Sequence, residues 1–488
     1  MRTTKALCLL PLMLNVGGFA QTSVRSKSPA IPSTHAVERF ICHLDPSKMA
    51  ESPVSSPDSR RVAYIAAGSQ FVVVNDVREK TFDGIAPDSL VFSPDGGRLA
   101  YTGALGTKQF VVVDGKEEKP YNGILTMGIT FSQDSRHVIY GAMNGEKFLV
   151  SVDGKEVGSY EGIGDILVSP DSRRVAYYVA SGAKRFVVVD GKDGKRYDGI
   201  GGGSLFAGLS TESMVAHSKT IIFSPDSQHI AYGAKNGERW VVVEDGTEDK
   251  YYDGLADYTI EFSPDGKRLA YVAEANGRWM IVEGGSEGQP HDRVKNGSVH
   301  FSPDSKRLAY VANDGAKQFV VVDGKEGQQY DGIGEGPIFS PDGHHVAYAA
   351  YNGNKWVVVA DGKEGNPYDG IGDGPIFSPD SQRVAYWAGT GTKRFVIVDG
   401  ENEKAYDGIG AGSLIFSPDS RRVAYKAHSG DKWYAVVGGK EGNPYDGFLN
   451  GAKIVFDSAN AVHYLVDKVG IAANTFDVYL VEQPLGAR

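Results

Sequence analysis

Short apolar runs and polar clusters follow one another in a fixed order along most of the chain. In one representative stretch, Pro337-Ile338-Phe339 leads into Ser340-Pro341-Asp342-Gly343, which has the chemistry of a type I turn with Pro at its second position. His345-Val346-Ala347-Tyr348-Ala349 is the next run, closed by Asn352-Gly353, a pair suited to positive φ. Trp356-Val357-Val358-Val359 is continuous rather than alternating, so it predicts a strand buried on both faces. Asp361-Gly362-Lys363-Glu364-Gly365 predicts another tight turn, and Tyr368-Asp369-Gly370-Ile371 a short fourth strand. No helical period appears anywhere in this unit.

The unit recurs. The Asp of its Ser-Pro-Asp tag falls at Asp58, Asp95, Asp134 (after Gln133), Asp171, Asp226, Asp265, Asp304, Asp342, Asp380 and Asp419, and a worn eleventh copy reads Val455-Phe456-Asp457-Ser458. The gaps are 37 to 39 residues except for one of 55, between Asp171 and Asp226. Four strands joined by hairpins in such a period define a propeller blade, whereas the rungs of a parallel β-helix are shorter and need no paired hairpin turns. The expectation is an all-β propeller of about eleven four-stranded blades of 38–39 residues. The long gap lies within residues 201–220 and offers two closures: one large ring with a decorated loop, or two propellers of four and seven blades. Strand counting favours the single ring. The last copy supplies runs at Lys453–Phe456, Val462–Val466 and Phe476–Val481 but no fourth, while Arg39–Leu44 is a spare apolar run before the first repeat. An N-terminal strand completing the last blade leaves no open edge. The expected organisation is a segment 21–50 carrying that strand, a repeat array 51–482 with an insertion at 201–220, and a tail 483–488.

The pattern FSPD[SG]xR[VL]AY, followed by a Gly turn and [FW]VVVDG, resembles the WD-like propeller repeat of the TolB type, over about Ser52 to Glu482. The resemblance implies the propeller fold and an envelope setting. Two features depart from it. TolB proteins carry a separate N-terminal α/β domain, whereas few residues precede the first repeat here. The fourth run reads YDGI where that family has a Leu-Thr pair.

Composition adds location. Met1 to Ser23 reads MRTTKALCLLPLMLNVGGFAQTS, with a basic start at Arg2 and Lys5, an apolar run and small residues at Gly18 and Ala20. This is the pattern of a signal peptide over residues 1–20, too short for a membrane span. A periplasmic or secreted protein is expected. Removing Arg2 and Lys5 leaves 49 basic against 61 acidic residues, a net charge of -12. That balance speaks against nucleic acid or an anionic membrane surface as main partner. Cys42 is then the single cysteine, best read as buried. No later stretch is long and apolar enough to cross a bilayer as a helix.

Little in the sequence carries catalytic chemistry. Gly284-Gly285-Ser286-Glu287-Gly288 matches a nucleophile elbow, but it fills a hairpin-turn slot rather than a strand-to-helix turn. The GIGxG runs at Gly332, Gly370 and Gly408 lead into strands, not into a helix that would hold a phosphate. The eleven His residues show no metal spacing, His344-His345 reads as solvated surface, and Asp190 to Gly194 lacks the alternating ligands of a calcium loop. No catalytic, cofactor or metal residues are therefore assigned. Trp240, Trp279, Trp356 and Trp433 read as occupying the third-run slot held elsewhere by Phe71, Phe110, Phe148, Phe186, Phe319 and Phe395, hence as core. Trp387 takes a slot filled by unlike residues elsewhere.

Each blade repeats because it cannot bury its faces alone. Function is expected where copies differ, in the connections leading into the first strands, read as one varied rim near the central channel. A ligand-binding rim of Asp165, Tyr258, Glu335 and Asp373, with the 201–220 insertion, is the candidate site. The expected function is an exported, non-catalytic scaffold, a monomer, that binds a protein or peptide. The alternative is a lectin or a hydrolase or lyase at the channel mouth.

Overall fold

The computed structural model describes residues 36–201, 221–256, 259–334, 336–470 and 474–485. They form eleven antiparallel sheets, the blades of one β-propeller ring. Among the described residues the one helical turn is Pro46–Lys48. Blades are numbered here by their second strands, from Val62–Ile65 in blade 1 to Ala461–Val469 in blade 11.

Blade 8 shows why the sequence folds this way. Its second strand, Val346–Asn352, pairs with the third, Lys355–Ala360, across a two-residue Gly353-Asn354 turn; Gly353 alone takes positive φ (66°), and Asn352, expected in the turn, ends the strand opposite Lys355. The third strand pairs with a two-residue outer strand, Lys363–Glu364, across Asp361-Gly362. Asp361 and Gly362 both have positive φ, at 49° and 74°, as a two-residue type I′ hairpin requires. The Val357–Val359 run is buried throughout, as its continuous apolar pattern implies. The YDGI run, however, is not a fourth strand. Tyr368 bridges Trp356 at the edge of blade 8, and Gly370 already begins the innermost strand of blade 9. One short run thus ends one blade and opens the next, because each propeller connection must cross from the outer edge to the axis.

The innermost strands are interrupted. In blade 8, Ile333 pairs with Ala350 and Ile338 with Ala347, so four residues on one strand face two on the other. In blade 10 the corresponding pairs are Ile409 with Ala427 and Ile415 with Ala424, and in blade 11 Phe448 with Val466 and Val455 with His463. The segments read as rim connections are therefore bulges within the strand nearest the axis. The long insertion obeys the same rule. Ile200 pairs with Ala234 and Ile221 with Tyr232, both on the second strand of blade 5. It leaves and re-enters one blade and does not link two rings, which removes the four-plus-seven arrangement. Residues 202–220 themselves lie outside the described residues.

Two devices join the blades. In the Ser-Pro-Asp turn, Ser340 Oγ donates to Asp342 Oδ1 and accepts from the His345 N–H (3.0 Å). The Asp342 N–H then donates to Ser381 Oγ of blade 9 (2.9 Å). Ser381 stands at φ 66°. Gly96, Gly266 and Gly343 fill the equivalent positions in blades 2, 6 and 8, also at positive φ. The second device is the Arg of the R[VL]AY motif. Arg307 Nε meets Asp323 Oδ2 (2.9 Å) in its own blade, its Nη1 donates to the Gly343 and His344 carbonyls, and its guanidinium stacks on Phe339 of blade 8. His345 takes this slot in blade 8 and holds Asp361 at 2.6 Å.

The ring closes through its ends. Val37–Leu44 pairs antiparallel with Phe476–Pro484 as the outer strand of blade 11, with Cys42 fully buried. The last repeat strand runs to Pro484, two residues past the expected end of the array. Ile41, Cys42, Leu465 and Leu480 pack with Val62 of blade 1. Ser59 Oγ of blade 1 here accepts from the Lys453 N–H of the blade 11 bulge (2.8 Å), whereas the equivalent serine Ser381 accepts from the turn Asp342 of the preceding blade.

The tryptophans need a correction. Trp240, Trp279, Trp356 and Trp433 pair across strands with Lys235, Glu274, Tyr351 and His428, whereas Phe110, Phe186, Phe319 and Phe395 pair with Gly103, Val179, Ala312 and Ala388. The two sets sit one residue apart and so point to opposite faces of the blade. Phe148, opposite Met143, belongs with the tryptophans. The four tryptophans are only half-buried.

Candidate functional site

A cavity of about 530 Å³ opens between blades 10 and 11. Its walls are the two neighbouring bulges, Gly410 to Ser413 and Leu449 to Ile454, with Lys426, Trp433, Phe448 and Asp467. The blade 10 bulge is held by its own bonds. Ser413 Oγ donates to the Gly410 carbonyl and accepts from the Lys426 N–H (3.1 Å). Gly412 turns the chain at φ 62°, and Gly451 does the same at φ 75° in blade 11.

Lys426 is the chemically distinct residue here. It extends from the second strand of blade 10 toward blade 11, where Nζ donates to the Ala452 carbonyl and lies 4.9 Å from the centre of the Phe448 ring. Burial pushes its amine down from 10.5 to about 8, and no carboxylate contributes to the shift. The amine is thus desolvated without a counter-ion, the arrangement that costs most for a charge and favours an incoming anion. Asp467 lines the cavity from the second strand of blade 11. Burial, with the Asp446 carboxylate adding to it, raises its carboxyl above the usual range. Lys426 and Asp467 do not form an ion pair; the amine donates instead to the Ala452 carbonyl.

The residues expected from the sequence fall as follows. Asp373 is exposed in the blade 9 bulge, where its carboxylate accepts from Trp387 Nε1 (3.0 Å) and from the Gly412 N–H of the cavity wall. It braces the cavity from one side. The ring of Trp387 lies over Gly372, where an added Cβ would come within 1.8 Å of it. Asp165 is half-buried in the blade 4 bulge, and its charge raises the pKa of Tyr178, behind the larger effect of burial. It is not part of the cavity. Tyr258 and Glu335 lie outside the described residues. Lys426 and Asp467 escaped the sequence reading, although Lys426 was visible as a lone cation at a slot that holds Ala349 and Val311 in other copies. The GGSEG run forms the hairpin between Arg278–Glu283 and Ser286–Glu287, with Gly284 and Gly285 at positive φ.

No family model and no curated protein matches the chain. Among solved structures it is similar to a eukaryotic initiation factor, at 13% identity over 72% of this chain and 87% of that one, with a TM-score of 0.36. It is also similar to TolB from Acinetobacter baumannii, at 15% identity over 56% and 77%, TM-score 0.24. A third likeness is to the β-propeller domain of Cps50 (Swd1) from Myceliophteria thermophila, at 14% over 54% and 93%, TM-score 0.25. These likenesses carry no functional inference. Fold and site rest on the eleven blades themselves.

Proposed function

We propose that this protein is an exported, monomeric, non-catalytic propeller scaffold that binds a protein or peptide in the periplasm or outside the cell. In this reading the cavity between blades 10 and 11 takes an anionic group of the partner, a carboxylate side chain or chain terminus, onto Lys426. The observation that carries it is the desolvated Lys426 amine, which lines an open cavity and makes no ion pair there. A bound carboxylate would supply the counter-ion that the fold leaves out, and a charge-assisted bond of this kind is among the stronger ones available to a binding site. The uniform turns give a partner nearly equivalent registers around the ring, while the bulges give this sector its own shape. The basic and apolar N-terminal pattern supports export, and the TolB-type repeat resemblance agrees with an envelope setting.

The test is photo-crosslinking in an envelope extract with a probe at Asn450, comparing the wild-type chain with Lys426→Met. A defined partner that crosslinks to the wild type and is lost from Lys426→Met, with the melting temperature not lowered, supports the reading. A partner retained by Lys426→Met, and lost instead on reversing the charges of the Asp-Gly-Lys-Glu-Gly turns, overturns it. Mass spectrometry of exported material should place the mature N-terminus at Gln21; an intact Met1 would refute export by this signal.

A further inference from the structure

The slot that opens each YDG run holds an aromatic ring in blade after blade: Phe82, Tyr121, Tyr160, Tyr197, Tyr252, Tyr330, Tyr368, Tyr406 and Tyr445. Between Tyr252 and Tyr330 it holds His291. The imidazole keeps the ring's packing, edge-on to Tyr310 at 6.1 Å and Phe319 at 5.5 Å, and it is fully buried. It does not keep the ring's reach. Tyr252 and Tyr330 donate their hydroxyls to Glu287 and Glu364 on the outer strand of the following blade, at 3.1 and 2.9 Å. The residue at that outer-strand position after His291 is Glu326. An imidazole is shorter than a phenol, and His291 Nε2 is left buried with no hydrogen-bond partner.

A second departure from the repeat falls at the same place. The residue that closes the second strand at this turn is Leu105, Asn144, Ser181, Asn236, Ala275, Asn352, Thr390 or Ser429 in blades 2 to 6 and 8 to 10, and Asp314 in blade 7. One oxygen of Asp314 accepts from Arg278 (3.2 Å) and the Asp292 N–H (2.8 Å), and the other stands 3.1 Å from His291 Nδ1. Glu326 Oε1 accepts from Gln289 (3.0 Å), which leaves its second oxygen available. A ligand atom from each of His291, Asp314 and Glu326 lies within 4.8 Å of the others. One nitrogen and two carboxylate oxygens, completed by a solvent ligand, is a donor set for Zn²⁺ or a similar borderline divalent cation.

We propose that His291, Asp314 and Glu326 form a divalent-cation site that ties blade 6 to blade 7. The ion takes the place of the phenol-to-carboxylate contact made at this position in neighbouring blades, and its charge balances two carboxylates that Arg278 alone does not neutralise. The site is independent of the Lys426 cavity, which lies in a different sector of the ring. Isothermal titration of the chelator-treated full-length chain with Zn²⁺, alongside thermal melts with and without the metal, tests it. The comparison variant is His291→Tyr, which restores the residue the repeat uses and so preserves the blade. The expected result is one tight equivalent per chain in the wild type, lost or weakened at least tenfold in His291→Tyr, with a metal-dependent rise in melting temperature that the variant lacks. Asp314→Asn should weaken the same equivalent. A wild type that binds no stoichiometric Zn²⁺, or a His291→Tyr variant that binds it equally well, overturns the proposal.

Discussion

Replacing Lys426 by Met removes a charge that burial already opposes. The amine falls from 10.5 to about 8. At roughly 1.4 kcal/mol per pKa unit, holding it protonated at neutral pH costs the folded state about 3 kcal/mol. Met fills a similar volume beside Phe448 but cannot donate to the Ala452 carbonyl, a loss of about 1 kcal/mol for a bond of this kind. The net expectation is a gain of about 1–2 kcal/mol for Lys426→Met at pH 7. The pH dependence gives the sharper test. Below about pH 8 both the folded and the unfolded wild type hold the proton, so the cost is present in full. Between about 8 and 10.5 only the unfolded chain holds it, and wild-type stability rises with pH across that window. The variant lacks this rise, so its advantage shrinks through the window and reverses at its upper end, where the neutral amine keeps its bond to Ala452. Urea unfolding of both chains at several pH values, with coincident fluorescence and circular dichroism transitions to establish cooperativity, measures the difference. A variant less stable than wild type at pH 7, or a difference that stays constant from neutral pH to beyond 10.5, would refute the reasoning.

Three further outcomes follow from the blades. Deleting residues 36–45 strips the outer strand from Phe476–Pro484 and exposes a long edge, so aggregation or a clear drop in melting temperature is expected; an unchanged melt would show that Val37–Leu44 does not close the ring. Cys42, fully buried with its thiol pushed up to about 12 chiefly by burial, should resist thiol reagents in the native ring and react once urea opens blade 11; rapid native labelling would contradict the packing. The Ser-Pro-Asp carboxylates from Asp95 to Asp419 sit below their free values, held first by the turn serine, with Asp304 at about 2. The unfolded chain therefore takes up protons first as pH falls, and the urea midpoint should decline from about pH 4 downward; a flat midpoint there would refute the role of the turn lattice.

Much of this architecture is local chemistry, and local chemistry is legible in a chain. Asp-Gly pairs demand a type I′ hairpin, Ser-Pro-Asp demands its turn, and a continuous Val run demands burial on both faces. A period of 38 residues then leaves few folds other than a propeller. Even closure could be argued, because strands must be counted and the last copy lacks one. What the chain alone left open turns on register and on contacts between blades. A shift of one residue moves a side chain to the other face, so Trp356 and Phe319 look equivalent in a row of letters and stand on opposite sides of the blade. The YDGI run divides between two blades because the connection must travel from outer edge to axis, a demand set by the ring and not by those four residues. Lys426 is an ordinary surface-type residue until the neighbouring bulge of blade 11 covers it. His291, Asp314 and Glu326 lie at no recognisable metal spacing and converge only because blade 6 packs on blade 7. Propensity and turn chemistry act over a few residues, whereas desolvation and ligand geometry exist only once distant segments meet.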